Sequence, residues 1–355
     1  MENSTIGERL HRARVSRGLS LDELAHRVGD ISKQALSKLE TGKMAPNSVR
    51  ILKLSKALGI KPEYFFRHQS VHLAPLEFRK LAKMPAYRQA QVREQMHDHL
   101  ERYIALEGSF VDSVLIPVIK SGFIEVNSIE DAERAAEKLR EIWNTGADAI
   151  ANLVELLEAH GIKIVLLDVC EDFDGACGAS ETGRQVLISL NAKRPGERMR
   201  FTAAHELGHW VMLLPDDMPE KEKEICCHRF AGAFLFPAAQ VRAEFGDQQR
   251  SRIHPQELLN AKKAFGVSMQ VVVRRLKDLG LLSDAGYKQI SILFSTNGWR
   301  KKEPGELLPE RPTRFESLTF RALAEDLITK SRAAEFLQIS LSKMDAHFPG
   351  GLVSE

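Results

Sequence analysis

No stretch of the 355 residues comes near the roughly 20 uninterrupted apolar residues that a membrane-spanning helix needs. The opening "MENSTIGERLHRARV" is polar and charged, and it lacks the apolar segment of a secretory signal. Cysteine is scarce: Cys170, Cys177, Cys226 and Cys227 are the whole complement, with no two in C-x-x-C spacing. That excludes a disulfide scaffold, and a chain of this length does not need one. The expectation is a soluble, cytoplasmic protein with reduced thiols and no membrane partner. Its length, with 43% hydrophobic residues, calls for two or three cores.

An excess of charge is also absent overall, with a net of +2, but the distribution is uneven. Residues 1 to 68 hold 13 Lys and Arg against 7 Asp and Glu, so this segment carries +6 and the remainder −4. An anionic partner is therefore expected for the N-terminal part alone. Its pattern is of short helices. Ile6, Leu10 and Ala13 share a stripe that Gly18 ends, Ser20 can cap "LDELAHRVG", and Asp30, Ile31 and Ser32 form a tight turn. "KQALSKLETGK" is a third helix, Asn47 to Leu58 a fourth, and "KPEYFF" begins a fifth.

Two short helices around a brief turn, with small Ala25 and inward Leu36 and Leu39, make a helix-turn-helix. The segment "LSLDELAHRVGDISKQALSKLETGKMAPNSVRILKLSKALGI" resembles the phage-repressor (XRE/Cro) helix-turn-helix family over about 60 residues. The resemblance implies binding to a double-stranded DNA operator. It would turn Lys33, Gln34, Ser37 and Lys38 toward the major groove and set Lys43 near phosphate. Specific operator binding by such a module normally calls for a homodimer.

Residues 69 to 127 read as a helical connector, broken at Pro75 and Pro85, with "QAQVREQMHDHLERYIALEG" as its main helix. His97 and His99 are two apart and so lie on different helical faces, which suits a solvated surface better than a metal. Beyond it, Ser128 caps "SIEDAERAAEKLREIW", and "ADAIANLVELLEAHG" closes at Gly161. "IKIVLLDV" and "RQVLISLN" read as strands, while Gly175, Gly178 and Gly183 between them indicate turns or loops.

The stretch "RFTAAHELGHW" that follows holds the chemistry. His205 and His209 are i and i+4, so both imidazoles leave one helical face and can share a tetrahedral metal. Glu206, next to the first histidine, can serve a water rather than the metal. Two ligands do not complete a catalytic site, so a third is required. Glu224 stands 15 residues after His209 on a second amphipathic helix, "PEKEKEICCHRFAGAFLFP", with Glu220 and Glu222 as competitors. Cys226 and Cys227 offer soft donors there but read better as small core residues.

"NAKRPGERMRFTAAHELGHWVML" followed by "EKEICCHRFAGAFLFP" resembles the ImmA/IrrE-type metallopeptidases, with their R-F-T-x-A-H-E-x-G-H and E-x-x-x-N-x-F-A-x-x-L-L-M-P patterns. The resemblance, over roughly residues 150 to 245, implies His205, His209 and Glu224 as zinc ligands and Glu206 as the catalytic base. Manganese or another divalent ion suits the same donors. Where the family pattern has Asn, this chain has His228, at i+4 from Glu224. Its expected role is to hydrogen-bond a liganding side chain.

Residues 246 to 283 form a helical, helix-turn-helix-like extension with a turn at Gly266 and an N-cap at Ser268. Residues 284 to 355 contain a polar, proline-rich loop, "NGWRKKEPGELLPERPTRF", and a helical tail. The expected architecture is multi-domain and mainly α, with a small α+β core. It comprises a five-helix repressor-like module at 1–68, the connector at 69–127, a zincin-like peptidase domain at 128–245, its extension, and the tail. The expected function is a DNA-binding regulator with zinc endopeptidase activity, acting on a repressor or antitoxin-like protein. The alternative is a non-catalytic XRE-type regulator whose peptidase-like domain senses metal, ligand or partner.

Overall fold

The computed structural model describes residues 2–67, 73, 84–111, 115, 116 and 118–347, so the predicted break at Pro75 lies outside the described residues. Helix α1 (Glu2–Ser16) leads to α2 (Leu21–Val28), α3 (Lys33–Glu40) and α4 (Ser48–Leu58). Caps fix these short helices. The Ser20 hydroxyl accepts from the Glu23 amide at 3.1 Å, and the Glu23 carboxylate accepts from the Ser20 amide at 2.7 Å. Gly29 ends α2 with a left-handed φ of 86°, and Ser32 and Asn47 cap the next two helices. The expected fifth helix is a single 3-10 stretch, Pro62–Phe66. Leu10, Leu24, Leu36, Leu54 and Phe65 form the core of this module.

Helix α5 (Ala86–Glu107) packs on α1. Both guanidinium nitrogens of Arg9 bond Glu101 at 2.6 Å, with the pair withdrawn from water, and Arg12 bonds Glu94 at 2.8 Å. His97 and His99 are buried, against the expectation of a solvated face. His97 meets the Arg12 guanidinium, and the His99 ring lies against Tyr103 and Phe315.

The next segment runs through β1 (Ile124–Glu125), α6 (Ile129–Ile142), α7 (Leu153–Ala159), β2 (Ile162–Leu167), β3 (Gly175–Ala179) and β4 (Val186–Asn191). It continues with α8 (Gly196–Val211), β5 (Met212–Leu213), α9 (Glu220–Leu235), α10 (Ala238–Phe245), α11 (Pro255–Phe265), α12 (Met269–Asp278) and α13 (Asp284–Thr296). One sheet has the order β2-β4-β3, with β2 parallel and β3 antiparallel to β4; β1 and β5 form a separate parallel pair. Leu207, Phe230 and Phe234 are among the fully buried side chains that join α6, α8 and α9, each removal from water contributing about 1.5–3 kcal/mol.

Two expectations are corrected here. Helix α7 begins at Leu153 rather than Ala147, because the Asn152 side chain accepts from the Glu155 amide and caps it. Gly175 and Gly178 lie in strand β3 rather than in turns, while Gly183 is in a turn at φ 66°. A Cβ at Gly175 would come within 2.6 Å of Thr202 Cγ2, so the strand is small because α8 presses on it. The polar segment after α13 is built into the fold by its acids. Glu303 accepts from the Met269 and Gln270 amides at the start of α12, at 2.7 and 3.0 Å, and also from buried Lys262 at 3.1 Å. Glu310 accepts from the Val154 amide at 2.9 Å.

The tail forms α14 (Arg314–Ala324), α15 (Lys330–Phe336) and α16 (Leu341–His347). Leu318, Ala322 and Phe336 pack on Tyr103 and Leu106 of α5, and Arg102 donates to the Phe336 carbonyl at 2.6 Å. Two compact units result: Met1–Leu115 with Thr313–Glu355, and Ile116–Pro312. The second is therefore inserted in sequence between two parts of the first. Among the described residues, no helix is long and apolar enough to cross a membrane.

Candidate metal centre

Helix α8 carries His205, Glu206 and His209, and α9 returns alongside it with Glu224 and His228. Gly208 permits the close crossing, since a Cβ there would stand 2.9 Å from the Phe230 ring. The Nε2 atoms of His205 and His209 are 3.0 Å apart. Glu224 places Oε2 3.4 Å from His205 Nε2 and Oε1 3.2 Å from His209 Nε2. A tetrahedral zinc with bonds of about 2.0–2.1 Å holds its neighbouring donors about 3.3 Å apart. The separation of the two imidazole nitrogens and their distances to the two Glu224 oxygens lie near that edge length, so the residues present fit a metal ion. Glu220 and Glu222, the competing carboxylates, are exposed on the first turn of α9; Glu220 pairs with Lys223 at 3.6 Å.

Glu206 is buried and accepts a hydrogen bond from the Cys177 amide of β3 at 3.1 Å. Burial, and then the Glu206 charge, push the Cys177 thiol upward, which keeps it neutral. His228 is exposed, with its ring centroid 4.6 Å from that of His205 and stacked on Phe201 at 5.8 Å. His205, Glu224 and His228 each bring a donor atom within 4.8 Å of the others, as do His205, His209 and Cys227. Cys226 and Cys227 are both fully buried. Sequence reasoning passed over Phe201, although its i−4 spacing from His205 marks it for the same face. It could not find the Cys177 amide, because the strand that carries it was read as loop.

In the other unit, Lys33, Gln34 and Lys38 are exposed on α3, Ser37 is half-buried beside them, and Lys43 is exposed just beyond. The Lys33 ammonium bonds Asp22 at 2.6 Å. Lys33, Gln34, Ser37 and Lys38 thus set polar side chains on or beside the exposed surface of α3, the second helix of the helix-turn-helix pair.

Fold and sites together define a DNA-binding regulator that carries a metallopeptidase-type domain. Comparison with known families matches two segments: residues 10–65 match the helix-turn-helix family, and residues 157–277 match the IrrE N-terminal-like domain. The chain is a fusion of an XRE-type helix-turn-helix with an IrrE-type peptidase domain, the latter match running from α7 through α12. No curated protein matches the chain.

Proposed function

We propose that this protein is a zinc-dependent endopeptidase that binds an operator as a homodimer and cleaves a repressor or antitoxin-like protein to control gene expression. The observation that carries the reading is the set of 3.0, 3.2 and 3.4 Å separations among His205, His209 and the two Glu224 carboxylate oxygens, with Glu206 next to His205 on the same helix. His205, His209 and Glu224 would hold zinc, which when bound supplies a Lewis acid for amide hydrolysis. Glu206 takes the proton of the attacking water and returns it to the leaving amine.

Strand β3 supports an extended substrate. The Asn191 amide bonds the Asp174 carbonyl and the Ser180 amide the Gln185 carbonyl, both at 2.9 Å. By alternation, the backbone groups of Gly175, Cys177 and Ala179 point away from β4; the Cys177 amide is taken by Glu206, so a peptide would join this edge through the Gly175 and Ala179 groups and the Cys177 carbonyl. Lys33, Gln34, Ser37, Lys38 and Lys43 would hold the operator. Joining recogniser and hydrolase in one chain raises the local concentration of a substrate bound at the same promoter.

The position of His228 favours a second reading, a sensing regulator without catalysis, since a fourth side-chain donor would close the coordination sphere. The test is metal content by mass spectrometry for wild type, His205→Ala and Glu206→Gln, each incubated with a repressor encoded nearby. The hydrolase reading expects one zinc in wild type and Glu206→Gln, none in His205→Ala, and cleavage by wild type alone. Zinc bound by wild type without cleavage favours the sensor.

A further inference from the structure

Along α8, Phe201, His205 and His209 form one stripe at four-residue spacing, and Glu224, His228 and Gly232 form another along α9. The two stripes run antiparallel. Glu224 meets both histidines, the His228 ring lies against His205 and Phe201, and at Gly232 the side chains stop. A cavity of about 310 Å³ begins there, closed by the start of α6 and by α12. It therefore shares His228 and Phe201 with the surroundings of the metal centre.

The cavity has two kinds of wall. Ile129, Phe201, Ile225 and Val271 are apolar, while the charged lining consists of Arg229, Arg274, Arg275 and Asp278. Three guanidiniums thus face one carboxylate. Arg275 is committed to Glu133, behind the lining, through bonds of 2.7 and 2.6 Å, and Arg229 is held by Glu133 and Asp278. Arg274 is different: its side chain is 61% exposed, with a single bond to Asp278 at 2.8 Å. A carboxylate entering beside Arg274 would meet a cation whose present partner is already shared with Arg229. The volume admits any natural side chain, so charge does the selecting.

We infer that this cavity is a substrate subsite that receives an acidic side chain, glutamate before aspartate, from a residue close to the scissile bond. The apolar wall takes the methylene stem and Arg274 the carboxylate. The inference rests on the peptidase reading for the word substrate, but the recognition itself is tested by binding.

Fluorescein-labelled decapeptides identical except for one central Glu, Gln or Lys are titrated by anisotropy into full-length Glu206→Gln protein, and into the same protein carrying Arg274→Gln or Arg274→Glu. The expected result is at least tenfold tighter binding of the Glu peptide than of the Gln peptide, lost in Arg274→Gln and turned toward the Lys peptide in Arg274→Glu. Equal binding of the three, or a Glu preference that survives both substitutions, overturns the inference; the latter would mark adsorption to the basic DNA-binding head. Free glutarate serves as a competitor, and tighter binding of glutarate than of the Glu peptide would overturn the assignment in favour of a small free acid. Cleavage of the same peptides by wild type is scored separately. Cleavage without Glu preference removes the subsite and keeps the peptidase, whereas Arg274-dependent preference without cleavage removes the peptidase and keeps the recognition site. Zinc content and melting temperature of each variant confirm that it is folded.

Discussion

Glu206 accepts the backbone N–H of Cys177 at 3.1 Å, so the carboxylate beside the two histidines of α8 is tied to the outward edge of β3. A hydrogen bond to one carboxylate oxygen restricts the orientation of the side chain. The same contact sets the separation between α8 and the strand on which an extended peptide would lie. In the proposed mechanism the position of the base and that of the strand edge are therefore coupled through one amide.

Removal of metal should loosen the peptidase-type unit. His205, His209 and Glu224 gather two imidazoles and a carboxylate within 3.0–3.4 Å, a donor set that a divalent cation would bind in the folded form. A ligand bound only by the folded form, at a free concentration 100-fold above its dissociation constant, stabilises by about 2.7 kcal/mol. Calorimetric melting before and after chelation should show one transition falling by several degrees and returning when zinc is added back. In His209→Ala the chelator should produce no shift; an equal shift there would detach the effect from these residues.

The buried Arg9–Glu101 pair predicts the acid sensitivity of the other unit. Burial by itself raises the Glu101 pKa, but the hydrogen bonds and charge of Arg9 outweigh it, and the carboxyl sits below its ordinary 4.5. A depressed folded-state pKa contributes stability that is present above the unfolded value and is lost as pH falls through the folded one. Urea midpoints should therefore be flat above pH 4.5 so far as this group is concerned and should drop below it. Glu101→Gln should cost about 3–5 kcal/mol at neutral pH, because Arg9 is left buried without its countercharge, and should flatten the acid limb. A variant as stable as wild type at pH 7 would refute this account.

Lys43 and Gln34 should separate when operator binding is measured against salt. Loss of a phosphate contact in Lys43→Ala should weaken all sequences alike and lower the slope of log affinity against log salt by about 1. Gln34→Ala should leave that slope intact and relax the preference at one base pair, at a cost of about 1–3 kcal/mol. Gel-shift titrations at four salt concentrations on a selected operator and one scrambled duplex make the comparison. Identical behaviour of the two variants would mean that α3 is not the reading helix.

What was legible in the sequence was whatever has a period or a cap. Ser20, Ser128 and Ser268 announce helices because a serine hydroxyl before a helical run can accept from a first-turn amide, and each does so in the structure. The i, i+4 spacing of His205 and His209 states a shared face without reference to the rest of the chain. Strand β3 has no such signal: "GACGA" lacks alternation and β-branched residues, and its extended form is imposed from outside by β4 and α8. His97 and His99 misled because their two-residue spacing puts them on different faces and so suggested solvent, whereas Arg12 and Phe315, which cover them, come from elsewhere in the chain. Glu303 and Glu310 likewise cap helices 34 and 156 residues distant, a relationship no local window contains.

Gly175 concentrates this lesson in one substitution. Read as a loop residue, Gly175→Ala should be harmless or slightly stabilising, as it removes freedom from the unfolded chain. In the structure a Cβ at this position would stand 2.6 Å from Thr202 Cγ2 and 2.8 Å from the Ser189 carbonyl oxygen, neither of which can move without shifting α8 or β4. Overpacking of this kind costs about 1–3 kcal/mol. The expected outcome is a lower melting temperature for the unit, together with reduced peptide cleavage at unchanged zinc content, since separating β3 from α8 moves the Cys177 amide away from Glu206. The companion Gly183→Ala, at φ 66° with open space around it, should lose a similar amount of stability through backbone strain alone and keep full activity per folded molecule. Equal activity in the two variants would break the proposed link between the strand and the base.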